Sequence, residues 1–497
     1  MIRRAALVVM LLAATALRVW NVSSSPPTFH PTRQYAGLAL AKAWYDDLSG
    51  DLPADQRAAV EANGRTAPRL EPRVLEAVVA ASYMLLGGER VWVGGLLSSL
   101  LWAAGGVCLY LLARRLASDL AAWVSVAFYL FVPFGILASR TFQPDPAMVA
   151  FLLAAVLALV RHAEAPTTRR LVAAAVLAGV AVLLKPVCVF VLAGAYVAIA
   201  TGRSASWKAL LSRTTLLLGV IAALPAAVFY IFESATQTAV GSFADSGFLP
   251  RLWLEGFYWR GWLRLVNSSV GLPMLALALV SPAVARHRDA RRLMAGMFAG
   301  YVVYGLVFNY HIHTHSYYQL QLIPIVGLGL GLTADAASAR VRAIDLSRLW
   351  RPALAGALGV LALALVVTDI RLARAGTGPA ARRELAQAPA IGDVVGHSTN
   401  TVALAPAYGL ILFHQGNLSG SAWPNQGDLR FRSLQGQKRR TVAEELAGVH
   451  ADWFIVTDFR ELAAQPGLRA LLDRRGRLVA EEPGYLVYDL REPPAPG

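Results

Sequence analysis

Long apolar runs recur along this chain, each set off by a short polar and often basic stretch. A helix needs about 20 residues, and no fewer than about 17, to cross the hydrocarbon of a bilayer. Runs at 4–20, 91–112, 121–138, 146–160, 171–184, 187–201, 210–231, 270–285, 293–309, 317–334 and 352–369 predict eleven crossings. The basic clusters test that count, because short loops rich in Lys and Arg face the cytoplasm. Arg3 and Arg4; Arg114 and Arg115; Arg161, Arg169 and Arg170; Arg203, Lys208 and Arg213; Arg286, Arg288, Arg291 and Arg292; and Arg340, Arg342, Arg348 and Arg351 are separated, cluster to cluster, by even numbers of runs. All six clusters then share one side, with the N-terminus inside and the C-terminus outside.

Two segments are decided by this parity. Residues 74–86, "VLEAVVAASYMLL", are apolar but short and carry Glu76. Counted as a crossing they would put Arg114 and Arg115 outside, so they predict a helix lying on or dipping into the membrane surface. Lys185 and Pro186 interrupt the stretch 171–201, and basic residues on both flanks require two crossings with that dipeptide at the outer turn. After residue 370 the composition becomes that of a soluble domain. "DWFIVTDF" (452–459) and "YLVYDL" (485–490) read as strands, "TVALAPAYGLILFHQG" (401–416) as strand, turn and strand, and "TVAEELAGVH" and "ELAAQPGLRALLDRRG" as helical pieces. The expected architecture is an α-helical polytopic membrane protein, residues 1–370, followed by a small extracytoplasmic α/β domain, residues 371–497.

Composition sharpens this picture. Of 497 residues 56% are apolar and 15% charged, which is too apolar for one soluble core. The net charge of +15 lies in loops between apolar runs, where it reports topology, and a nucleic-acid partner is excluded on that ground. Cys108 and Cys188 sit inside apolar runs as packing residues and suggest neither a disulfide framework nor a metal cluster. The opening "MIRRAALVVMLLAATALRVW" has no small-residue cleavage site after it and reads as an uncleaved first span.

Candidate chemistry collects in the outer loops. Arg140 and Lys185 are outer cations beside the ends of apolar runs, where a charge is costly and marks function by default; each also fits a snorkelling role, and Arg33 is a further outer cation in the first loop. Asp145, in "RTFQPDP", can be a catalytic acid or a carboxylate that favours a helix N-terminus. In "HIHTHSYY", His311, His313 and His315 alternate; in extended backbone they would share one face, suited to a metal, a sugar or phosphate, or an interfacial belt. Residues 250–262, "PRLWLEGFYWRGW", predict an amphipathic surface helix or a carbohydrate-stacking face. Residues 33–48 fit a surface helix as well as a site in which Arg33 and Lys42 meet a phosphate and Gln34 and Tyr35 a sugar.

The order and spacing of "LRVWN", a Pro-containing loop leading to Tyr35, "RLEPRVLEAVVAASYMLLGGERVWVGGLLSSLLWAAGGVCLYLLARRL", "SRTFQPDPAMVAFLLAAVLALV", "LAGVAVLLKP" and "HSYYQLQLIPIVGLGLG" resemble the GT-C membrane glycosyltransferases over about residues 8–334. The branch is that of the protein O-mannosyltransferases and the lipid A aminoarabinose transferase, glycosyltransferase family 39. The resemblance implies an enzyme of a bacterial cytoplasmic membrane. Such an enzyme moves a sugar from a polyprenyl-phosphate carrier, with inversion, to a hydroxyl of a lipid, glycan or protein acceptor on the outer face. It implies donor contacts at Tyr317, Tyr318 and His315, to which the histidine stretch adds His313 as a further candidate, implies no nucleotide sugar, and leaves a divalent metal open. One departure stands out. The family's acidic pair shortly before the tyrosine is absent, since Pro31, Thr32, Arg33 and Gln34 precede Tyr35. The general base then falls to Asp145, which matches the family's second outer-loop acid, to Glu71, or to His30, whose ordinary pKa suits a base near neutrality. A transporter or flippase of lipid-linked sugar, and a binding protein that kept the fold without catalysis, are the competing readings. A transporter is expected to show mid-span charges and repeats, which the apolar runs lack.

Overall fold

The computed structural model describes residues 2–20, 29–67, 71–204, 206–236, 248–343, 379–434, 436–438 and 440–491. They form two compact units: Met1–Val22, Arg69–Val74 and Gly95–Arg374 in the first, and Ser23–Pro68, Leu75–Gly94 and Ala375–Gly497 in the second.

The first unit is helical. Ten of the eleven apolar runs fall on helices, and the run at 352–369 lies outside the described residues. Trp92–Leu116, Pro144–Glu164, Arg213–Glu233 and Ser316–Val341 are long and apolar enough to cross a membrane unbroken. Two more candidates are bent pairs. Asp119–Phe131 and Pro133–Ser139 turn by 59° where Pro133 removes a backbone donor, and Gly256–Val270 and Leu272–Val284 turn by 88° at Gly271, whose φ of +76° suits glycine. Length and composition alone therefore give four to six crossings among the described residues, against ten expected there. The difference has a simple origin. Thr168–Leu184 and Val189–Ser204 are short, Ile2–Val19 includes Arg3, Arg4 and Arg18, and Arg288–Val307 opens on a charged turn.

Helix ends follow local chemistry. Ser118 caps Asp119–Phe131 by accepting from the Ala121 N–H, and Thr167 caps Thr168–Leu184 by accepting from that of Arg170. Pro144–Glu164 opens on Pro144, whose missing N–H costs nothing in a first turn, and carries Asp145 in that turn and Arg161 and His162 in its last, an acidic start and basic end that suit the helix dipole. Small residues bring helices together. A Cβ on Gly296 would overlap the Gly194 backbone, and one on Gly331 would overlap Ser125 and the Ala121 carbonyl. Outward, Leu216, Val220, Leu224, Val228 and Ile231 expose one apolar stripe of Arg213–Thr236, as a lipid-facing helix should.

The second unit combines helices Pro31–Ser49 and Ala54–Thr66 with a five-stranded sheet. Its strands are β1 (Thr401–Leu404), β2 (Gly420–Ala422), β3 (Trp453–Val456), β4 (Arg477–Glu482) and β5 (Tyr485–Asp489), in the order β2-β1-β3-β5-β4. β1 runs parallel to both β2 and β3, whereas β5 is antiparallel to β3 and β4. Alternate residues feed two cores. Ala403, Trp453, Ile455 and Val487 pack with Ala388, Ile391 and Leu412, while Val402, Leu404, Phe454, Val456 and Leu486 pack with Trp423, Leu468 and Leu472. The strand expected in the second half of "TVALAPAYGLILFHQG" is instead the helix Leu410–Gln415. Ala407, Tyr408 and Gly409 all take positive φ and reverse the chain, and the run "LILF" buries Ile411, Leu412 and Phe413 as a helical turn. The surface helix expected at 33–48 is Pro31–Ser49, and the one at 250–262 is a 3-10 turn Pro250–Leu254 followed by Gly256–Val270.

Candidate active site

In the first unit, Pro144 and Asp145 open one helix just where Thr168–Leu184 ends at Lys185. The Lys185 ammonium donates to both Asp145 oxygens at 2.8 Å. The lysine side chain is 3% exposed and the aspartate 1%. The carboxylate lies at a helix N-terminus and the ammonium at a helix C-terminus, so both dipoles favour the pair. Lys185 Nζ also lies 4.6 Å from the ring centres of Tyr317 and Tyr318, a desolvated cation–π contact worth about 1–2 kcal/mol.

Those tyrosines belong to the 3-10 turn Ser316–Gln319, which follows the short helix Asn309–Thr314. The segment is helical, so the condition of extended backbone under which the three imidazoles would share one face is not met. His311 and His315, four apart, lie with ring centres 5.8 Å apart, and His311 stacks on Tyr318 at 5.3 Å. His313 points into an aromatic box of Phe257, Tyr258 and Tyr310, and its Nδ1 donates to the Asn309 carbonyl at 2.6 Å. It is a packed core histidine. Among the described residues no group of three or more His, Cys, Asp or Glu is arranged to hold a metal ion.

Further residues complete this region without having been singled out in the sequence. Tyr304, fully buried, stacks on Tyr318 with ring centres 6.3 Å apart and donates to its carbonyl at 3.4 Å. Tyr301 donates to Gln319 Oε1, and Gln319 Nε2 donates to the Ile312 carbonyl, which fixes the tyrosine turn. A tyrosine inside an apolar run gives no signal that separates packing from function.

Arg140 ends the helix Pro133–Ser139, on the same turn as Asp145. It is half-buried, burial pushes its guanidinium below the ordinary arginine value, and among the described residues it has no carboxylate partner. Glu71 is half-buried in the turn ahead of Val74–Leu86.

His30, Arg33 and Tyr35 lie in the second unit, at the start of Pro31–Ser49. His30 takes φ +45° as the residue before that helix, its ring edge-on to Phe29, and Arg33 is half-buried. Tyr35 is fully buried with its ring 5.2 Å from that of His414. Lys42, expected to meet a phosphate, is instead committed: it donates to Asn417 Oδ1 at 2.7 Å and to the His414 carbonyl at 3.2 Å, and pairs with Glu89 at 3.2 Å. His414 Nε2 reaches the other Glu89 oxygen at 3.0 Å. Burial opposes ionisation of Glu89, but His414 and Lys42 outweigh it and hold the carboxyl down at about 2. This partly buried Lys–Glu–His cluster ties the first-loop helix to the C-terminal segment within the unit.

A family profile described as dolichyl-phosphate-mannose-protein mannosyltransferase matches residues 71–232, which include Asp145 and Lys185. No curated protein sequence matches the chain. Among solved structures, ArnT from Cupriavidus metallidurans bound to undecaprenyl phosphate superposes with a TM-score of 0.60 at 14% identity, covering 97% of this chain and 97% of that one. The oligosaccharyltransferase AglB from Archaeoglobus fulgidus, with an inhibitory peptide and a dolichol-phosphate, gives 0.51 at 14% identity, covering 98% of this chain and 74% of its own. The mycobacterial arabinofuranosyltransferase AftD gives 0.51 at 16% identity, covering 98% of this chain and 40% of its own. The chain has the fold of the GT-C membrane glycosyltransferases.

Proposed function

We propose that this GT-C chain is a polyprenyl-phosphate-dependent glycosyltransferase, inverting at the anomeric carbon, that glycosylates an acceptor hydroxyl on the outer face of a bacterial cytoplasmic membrane. One observation carries the reading: a half-buried arginine, without a carboxylate partner among the described residues, stands on the same turn as a buried Asp145–Lys185 pair. ArnT and AglB, solved with undecaprenyl phosphate and a dolichol-phosphate, support the carrier class.

The chemistry assigns the roles. The acceptor oxygen forms a bond to the anomeric carbon as the bond to the carrier phosphate breaks. The phosphate leaves with that electron pair, passing from a singly charged diester to a doubly charged monoester. A cation is therefore worth more at the transition state than in the ground state, which is the requirement for catalysis. Arg140, which has no carboxylate partner among the described residues, can supply it, and its planar fork suits phosphate oxygens. Lys185 is neutralised by Asp145 until an anion competes for its ammonium. An arriving phosphate draws Lys185 away and releases the Asp145 carboxylate to take the acceptor proton. Tyr317, Tyr318 and His315 line the approach of the sugar, whereas His313 supports them from the aromatic box. Glu71 and His30 are the alternative bases, and Arg33 and Tyr35 stand for donor contacts from the first loop.

The test is transfer of label from radiolabelled undecaprenyl-phosphate sugars by the purified chain, with undecaprenyl phosphate binding measured in parallel. Arg140→Gln is expected to weaken carrier binding about tenfold or more, an effect of about 1.4 kcal/mol, and Asp145→Asn to abolish transfer while binding persists. Glu71→Gln and His30→Ala, assayed beside them, identify the base if Asp145→Asn stays active. Movement of the lipid across vesicles without transfer would make the chain a transporter, and binding without turnover would make it a non-catalytic relative. Either result overturns the enzyme.

A further inference from the structure

A second feature of the first unit lies away from Asp145. Helices Val189–Ser204 and Arg288–Val307 meet along a glycine contact between Gly194, Gly296 and Gly300, and beside that contact opens a groove of about 1000 Å3. Its apolar walls include Phe190, Val197 and Val303, and Ala193, Ala295 and Ala299 are exposed along it. At one end stand Trp207, Arg288 and Arg292.

We propose that this groove binds one anionic phospholipid, its acyl chains along the apolar walls and its phosphate on Arg288 and Arg292. Length fits. From Val303 to Arg288 the helix rises about 22 Å at about 1.5 Å per residue, close to half of a bilayer about 40–45 Å thick including its headgroups. Charge fits too. The arginines are one helical turn apart, and among the described residues neither has a carboxylate partner. Arg292 is held in place by donating to the Gly202 carbonyl at 2.6 Å, which orients its remaining N–H groups. Asp289, the nearest acid in sequence, lines a different cavity with Arg115, Glu164 and His287. Trp207 is exposed at the mouth, where an indole suits the headgroup layer.

The groove is also distinct from the proposed carrier site. Lys185 precedes Val189–Ser204, whereas Arg292 bonds to the far end of that helix at Gly202. By the charge pattern of the loops this basic end faces the cytoplasm, where anionic lipids collect at basic pockets between helices.

Native mass spectrometry of the full chain, titrated with dioleoyl-phosphatidylglycerol and with dioleoyl-phosphatidylcholine, tests the assignment. The expected result is at least tenfold preferential retention of one phosphatidylglycerol. Arg288→Gln should cut that retention several-fold, and this exposed side chain can be replaced without disturbing the fold. Ala299→Leu should fill the groove and lower retention of both lipids. Equal retention of the two lipids, or wild-type retention in Arg288→Gln and Ala299→Leu, overturns the site. So does retention of undecaprenyl phosphate in preference to phosphatidylglycerol with the same sensitivity to Arg288→Gln. Neither substitution touches Asp145, Lys185 or Arg140, so failure here leaves the transferase proposal standing, and loss of transfer without loss of lipid retention does the reverse.

Discussion

Removing one partner of the Asp145–Lys185 pair should unsettle the helical unit far more than removing both. At 2.8 Å the two charges attract with about 6 kcal/mol when the effective dielectric constant is about 20. Most of that attraction offsets the cost of taking two ions out of water, so the pair stabilises little relative to an apolar pair of similar shape. A lone buried charge has no such offset. Lys185→Met leaves a 1%-exposed carboxylate without its ammonium, and Asp145→Leu leaves a buried ammonium facing the rings of Tyr317 and Tyr318 without its carboxylate. Each single change is expected to cost about 3–5 kcal/mol. The double variant should recover to within about 1–2 kcal/mol of the parent, the remainder reflecting lost helix-end and cation–π terms. Reversible unfolding in a denaturing detergent, followed by tryptophan fluorescence, gives the four corners of the cycle. Transfer separates stability from chemistry, because the recovered double variant should remain inactive. A double variant destabilised by the sum of the singles would refute the reasoning, since it would mean that the two charges do not compensate each other.

The Lys42–Glu89–His414 cluster makes the second unit acid-labile. A carboxyl moved from its ordinary 4.5 to about 2 adds about 3 kcal/mol, at about 1.4 kcal/mol per pH unit. This stability is complete above about pH 4.5 and lost as pH falls towards 2, and Glu89→Gln should flatten that dependence in unfolding curves taken from pH 6 to 3. Gly331→Val should cost about 1–3 kcal/mol, because its side chain has no room beside Ser125 and the Ala121 carbonyl; an unchanged midpoint would deny the close helix contact. Ile455→Ala, in the centre of β3, should cost about 2–5 kcal/mol in denaturant unfolding and leave carrier binding in place.

What could be read from the residues follows from the range of the forces involved. Apolar periodicity and the spacing of basic loops are local signals, and they place ten of the expected runs on helices. Lys185 at a turn, against the charge bias, and Asp145 after Pro144 each stand out for the same reason. Their union does not, because a pair 40 residues apart depends on how two helices pack. Lys42 shows the converse. Its charge near a membrane suggested a phosphate, and only the fold brings Glu89 and Asn417 to it. The histidines fail for a third reason, since "HIHTHSYY" is compatible with either a period of two or a helical turn. Packing of Tyr258 and Phe257 around His313 selects the helix. With the acidic pair absent before Tyr35, Asp145 stands on the same turn as Arg140, the proposed phosphate cation. In the proposed mechanism, the lysine that fixes this carboxylate in the resting protein releases it for the acid–base step. The energetic balance of one buried pair therefore links the stability of the helical unit to the acid–base step proposed for it.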